Sequence, residues 1–205
     1  ISFNVRDSSK TIIESFKDLN HEDDLNFNID LDITESAEIQ LVFDQMVGDI
    51  MTSKGNGNIR LSIDKYFDLS MFGKYIVSEG DYSFTLKDFI NKKFEVEQGG
   101  EITWFGDPYN ANLNLFANYP LKTSLYNIMP LIDRDNFTHK SEVNVKIHLL
   151  NDLLNPDIGF DIELPKASES AKTSLKSLIN NEEEMNKQVF SLMILNQFIP
   201  QNPDI

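Results

Sequence analysis

The chain has 205 residues, of which 25% are charged and 40% are hydrophobic, a composition typical of a folded chain with one large or two small domains. Its net charge of −15 argues against a nucleic-acid partner and against adsorption to anionic lipid headgroups, because both are negatively charged. The absence of cysteine excludes disulfides, thiol nucleophiles and thiolate metal sites.

The sequence shows neither of the apolar segments that direct a chain into or across a membrane. The first residues lack a basic leader, and no apolar window of about 18 residues occurs, so the sequence predicts neither a signal peptide nor a membrane-spanning helix. The chain opens in a strand-like alternation and closes on Asn-Pro-Asp-Ile. We therefore expect it to be a piece of a longer protein.

The N-terminal residues change their periodicity twice. Residues 1–5 alternate like the end of a strand, and residues 10–20 carry apolar side chains at helical spacing, which predicts a short helix. Residues 25–33 alternate as a strand, with Asp30 and Asp32 roughly 7 Å apart on its polar face. Such a pair could bind a cation or act in acid–base chemistry, but no third chemical group converges on it, so a plain polar face is preferred.

The same alternation of apolar and polar residues recurs along most of the chain. Because no βαβ pattern appears, we predict about ten strands in a mainly antiparallel sheet. Glycine-rich stretches are interpreted as turns, and Phe72-Gly73 as an irregularity within a strand. The predicted strands after residue 33 are 39–43, 59–63, 67–77, 82–86, 94–97, 102–104, 111–119, 122–126, 143–149 and 158–164. The predicted turns are 54–58, 79–81, 99–100 and 106–108.

The stretch 92–119 shows the alternation most clearly. Residues 111–119 place alanine, leucine and tyrosine on one face and mostly asparagine on the other. The asparagines could suggest a metal or sugar site, but amides are poor metal ligands on their own, so a solvated outer face is preferred. The apolar face is roughly 33 Å long and must be covered by another layer or by a ligand.

The C-terminal tail is predicted to be helical. Residues 167–180 have apolar residues at helical spacing, and Asn181 followed by three glutamates predicts a second helix start. Pro200 is predicted to end this helix. Since the helix is apolar around most of its circumference, we expect it to dock into an apolar cleft or to meet another hydrophobic partner.

Catalytic and metal-binding patterns are weak. Asp133, Asp135 and Asn136 resemble the start of a calcium loop, but the glycine and closing glutamate of that motif are missing. His148 is predicted on the solvated face of its strand. We therefore predict no enzyme, no metal site and no cofactor; a carbohydrate hydrolase using paired acids is the enzymatic alternative.

Seven segments of the chain form a recognisable set: LVFDQMVGDI, GNGNIRLSI, MFGKYIVSEGDYSFTL, INKKFEVEQGGEITWFGDPYNANLNLFANY, SLYNIMP, LNPDIGFDIELP and NEEEMNKQVFSLMILNQFIP. Together they resemble one family, the C-terminal domain of TamB, a component of the translocation and assembly module in the AsmA-like group. The resemblance runs from about Leu25 to Pro200, is closest to the Bacteroidota type, and departs from the family before Leu25.

This resemblance implies a mainly β fold: a long, mostly antiparallel sheet curled into a U-shaped trough (a β-taco) with an apolar interior, followed by C-terminal helices. We divide the chain into a trough segment, 1–165, and a helical tail, 166–205. The resemblance also implies a periplasmic bridge anchored in the inner membrane, a TamA-like β-barrel partner in the outer membrane, and membrane contact only outside this segment or at its C-terminal end.

The leading functional prediction is a phospholipid conduit between the two membranes. Its apolar face would hold acyl chains, and Leu115→Asp would block lipid passage while the sheet still forms. The alternatives are a scaffold for outer-membrane protein assembly through its sheet edge, and an ordinary sandwich whose apolar face is core. The predicted trough lining is Phe27, Leu31, Leu61, Ile63, Tyr82, Phe84, Phe94, Val96, Trp104, Leu113, Leu115, Ala117, Val145, Ile147, Phe160 and Ile162. The predicted docking residues of the tail are Val189, Leu192, Met193 and Phe198.

Overall fold

The structure of the chain, a computed structural model, describes residues 26–44, 49–86, 90–130, 132 and 134–200. The predicted strand 1–5 and helix 10–20 lie outside these residues. The described strands are β1 Phe27–Ile33, β2 Glu38–Asp44, β3 Asp49–Ile63, β4 Leu69–Leu86, β5 Ile90–Val96, β6 Glu101–Gly106, β7 Ala111–Ser124, β8 Lys140–Asp152 and β9 Asp157–Glu163. The described helices are α1 Glu169–Leu178 and α2 Glu182–Leu195, and a short 3-10 helix spans Arg134–Phe137.

The strands form a single antiparallel sheet that follows the chain order. β1 and β2 both pair with β3, and β5 and β6 both pair with β4, so nine strands occupy seven neighbouring positions. The order is β1/β2, β3, β4, β5/β6, β7, β8, β9, and every pairing is antiparallel. The predicted mainly antiparallel β fold with C-terminal helices is confirmed.

The predicted turn at 54–58 is wrong, because this stretch lies in the middle of β3. Gly57 pairs with Tyr75 of β4, and a Cβ added to Gly55 would lie 2.9 Å from the Tyr75 ring. The two glycines therefore leave space for a tyrosine lying along the inner face, and Ser53 Oγ lies 3.3 Å from its hydroxyl oxygen.

The predicted turn at 79–81 is also wrong, since β4 continues from Leu69 to Leu86. Lys54 pairs with Glu79 but Gly55 pairs with Val77, so Ser78 is an extra residue that bulges from the ladder. An extra residue shifts the alternation of the strand by one position. Odd-numbered residues of β4 therefore face inward before Ser78, and even-numbered residues face inward after it. The irregularity predicted at Phe72-Gly73 is a close backbone approach, since Gly73 has a φ of 130° and an added Cβ would lie 2.0 Å from the Asn58 carbonyl oxygen. The register shift itself lies at Ser78.

The chain does not reverse at 99–100. β5 and β6 run in the same direction beside β4, and the residues between them stay attached to both neighbouring strands. Val77 donates its N–H to the Gly100 carbonyl at 2.8 Å, and Glu97 donates to the Phe116 carbonyl at 2.7 Å. Gly99 adopts a φ of 89°, which favours glycine. The predicted strand 122–126 is likewise the continuation of β7, which runs unbroken to Ser124.

The sheet bends towards its apolar face. Phe84 lies on β4 and Phe160 on β9, four strand positions apart, so a flat sheet would hold them roughly 19 Å from each other. Their ring centroids are 6.0 Å apart. The contact therefore requires strong curvature, although the full U-shaped trough stays a prediction.

The tail folds as two capped helices. Ser168 and Asn181 are the N-caps, and the Asn181 side chain accepts the Glu184 N–H at 2.9 Å, as its sequence position predicted. The second helix ends at Leu195 with Asn196 in the left-handed conformation, so Pro200 is not its terminator. Within the described ranges, neither helix combines the length and apolar character needed to cross a membrane.

Candidate functional site

The inner face of the curved sheet contains all of the predicted lining residues. Residues that pair directly across neighbouring strands lie on the same face of the sheet. Such pairs, for example Leu31 with Ile59 and Ile147 with Phe160, link the predicted residues from β1 to β9. The sequence alternation therefore assigned these side chains to the correct side of the sheet. Their contact with lipid stays a prediction.

The middle of this face is filled by the chain's own side chains. Phe94, Val145 and Ile147 are completely buried, and Leu115 is only 1% exposed. Of the two coverings expected for the apolar face, another layer or a ligand, the centre has the first: side chains from the opposite strands and from the helices cover it. The prediction that the sheet still forms with Leu115→Asp is inconsistent with the burial of this side chain.

The β1 edge of the inner face is more open. Leu31 is 40% exposed, and Leu61 and Ile63 on the neighbouring β3 are partly exposed. We call Leu31, Leu61 and Ile63 the inner-face mouth. Exposure of the apolar face thus decreases from the β1 edge to the centre of the sheet.

Helix α2 covers the inner face near β9. Phe190 of α2 packs against Phe160 with ring centroids 5.8 Å apart. The helix was expected to be apolar and covered around most of its circumference, but Ile194 near its end is exposed. The four predicted docking residues are all buried: Val189, Leu192, Met193 and Phe198.

Residues 196–200, which we call the C-terminal strap, fold back on α2 through contacts that sequence reasoning missed. The buried Gln188 donates to the Ile199 carbonyl at 2.8 Å and accepts the Ile199 N–H at 3.1 Å. Asn127 donates to the Phe198 carbonyl at 3.0 Å. A glutamine on the apolar face of a helix was the available signal, since a buried amide needs partners.

A lysine also lies on the inner face. Lys92 pairs opposite Phe84, and its ammonium lies 5.4 Å from the centroid of the Tyr119 ring. Its alternation in phase with Phe94 and Val96 was the signal for this orientation. Burial raises the pKa of the Tyr82 phenol on the same face, and the nearby Asp49 carboxylate raises it further, so this phenol stays neutral.

The outer face is held by polar pairs across the strands. The Lys146 ammonium lies 3.1 Å from Glu97 and 3.0 Å from Glu163, which connects the link between β5 and β6 with β8 and β9. Partial burial raises the Glu97 pKa, but hydrogen bonds from Asn118 and Lys146 outweigh it, and the net pKa is lowered. This network ties four neighbouring strand positions together.

The polar residues that could suggest a catalytic or metal site are paired with one another. Asp30 accepts a hydrogen bond from Arg60 at 2.7 Å, and this bond lowers the Asp30 pKa. Asp32 accepts one from Asn58. His148 lies on the outer face against the Phe116 ring, as the alternation predicted. Among the described residues, no three His, Asp or Glu side chains are grouped so that they could hold a metal ion.

The chain is a β-rich protein with an apolar interior. Its long antiparallel sheet bends over one continuous apolar face, and a C-terminal helix packs against that face. The family model described as the TamB C-terminal domain matches residues 3–203. The chain therefore belongs to the TamB C-terminal domain family. The comparison with curated proteins gives no significant match.

Family membership assigns the chain a TamB-type role in outer-membrane assembly. The family spans the periplasm and is associated with a TamA-like partner in the outer membrane. The Bacteroidota type stays a prediction.

Proposed function

We propose that the inner face carries phospholipid acyl chains as part of a conduit between the inner and outer membranes, and that the chain acts by transport rather than catalysis. The observation that carries this proposal is the exposure gradient of one continuous apolar face. That face is accessible at Leu31 and closed at Leu115. Each acyl methylene buried there contributes about 0.8 kcal/mol, so a lipid is held without headgroup chemistry.

The inner-face mouth is the point where an acyl chain meets the sheet. Leu31, Leu61 and Ile63 lie on adjacent strands and present apolar surface that is partly accessible. A contiguous apolar surface that stays accessible is a common feature of binding sites in folded proteins. The mouth lies at the β1 edge, on the same face as the closed centre.

Helix α2 limits how far a lipid travels along the face. The contacts of Phe160 with Phe84 and Phe190 close the interior between β4 and β9. Passage beyond this point requires α2 and the C-terminal strap to move away from β9. In the closed form described here, lipid occupies the mouth alone.

Mass spectrometry of lipids that co-purify with the chain tests this proposal. Leu31→Asp places a carboxylate on the inner face at a side chain that is 40% exposed, and Ile76→Asp makes the same change on the outer face at one that is 42% exposed. We expect phospholipid with the native chain and with Ile76→Asp, and a large loss with Leu31→Asp. Equal lipid content in all three would contradict the conduit.

The second candidate is a scaffold that pairs its sheet edge with a TamA-like barrel. In the described part of the chain β9 pairs with β8 alone, and the Ile162 N–H bonds to the Asp161 carboxylate at 2.7 Å instead of to a strand. By the two-residue repeat, the N–H of Ile158 also points away from β8. Ile158→Pro removes that donor, so loss of barrel binding would support the scaffold and unchanged binding would contradict it.

A further inference from the structure

Three hairpin turns lie side by side at one end of the sheet. The β3–β4 turn spans 64–68, the β6–β7 turn 107–110 and the β8–β9 turn 153–156. Since β3, β6 and β8 all end at this side of the antiparallel sheet, neighbouring turns are two strand positions, or about 10 Å, apart across the sheet. The registers also step the turns along the strands: β3 ends opposite Leu69, β6 ends opposite Met71, and β8 ends level with Lys74. We call this row the hairpin end.

Each of these turns presents an apolar or aromatic side chain to solvent in the same way. An aspartate carboxylate accepts the backbone N–H of the residue two positions later, at 2.8 to 2.9 Å, and that second residue projects from the tip. The exposed tip residues are Tyr66 (73%), Tyr109 (51%) and Leu154 (55%). The hydrogen-bonded turns fix the positions of these three exposed side chains.

Two neighbouring features extend this surface. Phe67, beside Tyr66, is exposed and has a φ of 64°, a conformation that a bulky side chain rarely adopts. Phe72 and Phe105 pair across β4 and β6 on the outer face next to the turns, and both are exposed. The hairpin end therefore combines a strained phenylalanine with an aromatic rim.

The charges at the hairpin end are mostly acidic. Asp64, Asp68 and Asp107 lie in the turns with Lys65 as their neighbouring cation, and Asp157 begins β9. Anionic lipids and acidic proteins would be repelled. A surface that complements the hairpin end should offer accessible ammonium groups above an apolar layer. A bilayer of zwitterionic phospholipids has this structure. Its ammonium groups are attracted both by aromatic rings and by carboxylates.

We propose that the hairpin end docks on the surface of a zwitterionic phospholipid bilayer, with Tyr66, Tyr109 and Leu154 inserted at the headgroup level. Tyrosine has an apolar ring and a polar hydroxyl, which suits this boundary. Three separate tips can enter a fluid surface independently, whereas a protein partner would need a matching concave shape. This contact is distinct from the inner face and adds a membrane contact that the sequence did not predict.

The test uses the full chain and phosphatidylcholine vesicles in a sedimentation assay. The test variant combines Tyr66→Ser, Tyr109→Ser and Leu154→Ser. The control combines Ile132→Ser, Ile194→Ser and Leu195→Ser, which removes three exposed apolar side chains outside the hairpin end, one in the β7–β8 connection and two at the end of α2. We expect the test variant to lose at least about tenfold in vesicle partitioning and the control to keep it. Added anionic lipid should weaken binding of the native chain.

Trp104 provides a second readout of the same contact. It is the chain's single tryptophan, it is buried, and its indole N–H donates to the Pro108 carbonyl at 3.1 Å, directly below Tyr109. Brominated phosphatidylcholine should quench its fluorescence in the native chain and the control but not in the test variant. Absence of vesicle binding, equal losses in both variants, or binding to a basic protein without binding to vesicles would overturn the proposal.

Discussion

Placing a carboxylate at Leu115 should unfold most of the protein, whereas the same change at Leu31 should leave it folded. Leu115 is only 1% exposed and pairs with Leu149 on β8, so a carboxylate at this position would be shielded from water. Loss of the buried leucine costs about 2 kcal/mol, and an unpaired buried carboxylate costs several more. The sum reaches the stability of a typical domain, about 5–15 kcal/mol.

Urea denaturation followed by circular dichroism and Trp104 fluorescence measures this difference. We expect Leu31→Asp to lower the free energy of unfolding by less than about 1 kcal/mol, because that side chain is 40% exposed. The Leu115→Asp defect should shrink as the pH falls, since a buried carboxylate has a raised pKa and is neutral when protonated. A Leu115→Asp chain within about 1 kcal/mol of the native chain would refute the closed centre.

Three further changes test the packing described above, each by urea denaturation unless stated. Gly73→Ala should cost at least about 2 kcal/mol, because the φ of Gly73 is 130° and an added Cβ meets a backbone oxygen at 2.0 Å. The control Gly159→Ala should be nearly neutral, because the atom nearest to its added Cβ is 3.9 Å away. Equal effects would contradict the register of β3 with β4. Lys146→Met should lower the free energy of unfolding by about 1–3 kcal/mol near neutral pH. Since the Glu97 pKa is lowered from 4.5, the contribution of the ion pair should be fully present above that pH and disappear as the pH falls through the Glu97 pKa of the folded protein. An effect that does not depend on pH would argue against the ion pair. Gln188→Leu should free the C-terminal strap, which faster hydrogen exchange of its amides would show and unchanged protection would contradict.

The two-residue alternation was sufficient to predict which side chains face inward. It assigned Phe27 on β1 and Ile162 on β9 to one face, and the observed registers join them through a continuous series of partners. The capping pattern at Asn181 likewise predicted the start of α2, because an N-cap depends on residues within one turn. Local signals of this kind can be read from one sequence.

Features that depend on distant residues could not be predicted in this way. A turn and a bulge both interrupt the alternation, so the shift that the bulge at Ser78 causes was interpreted as a turn at 79–81. Gly55 and Gly57 resemble a turn until their partner Tyr75 is known. The contact between Phe84 and Phe160 depends on the curvature of the whole sheet, and the closed centre of the candidate site depends on that contact.

Site-specific photocrosslinking tests the lipid conduit most directly. A benzophenone side chain replaces Leu31 at the inner-face mouth, Leu61 beside it, or Ile76 on the outer face as the control. After irradiation in cells, we expect phospholipid adducts at Leu31 and Leu61 and few at Ile76. Adducts that are absent from both mouth positions, or equally frequent at Ile76, would contradict the claim that the inner face carries lipid.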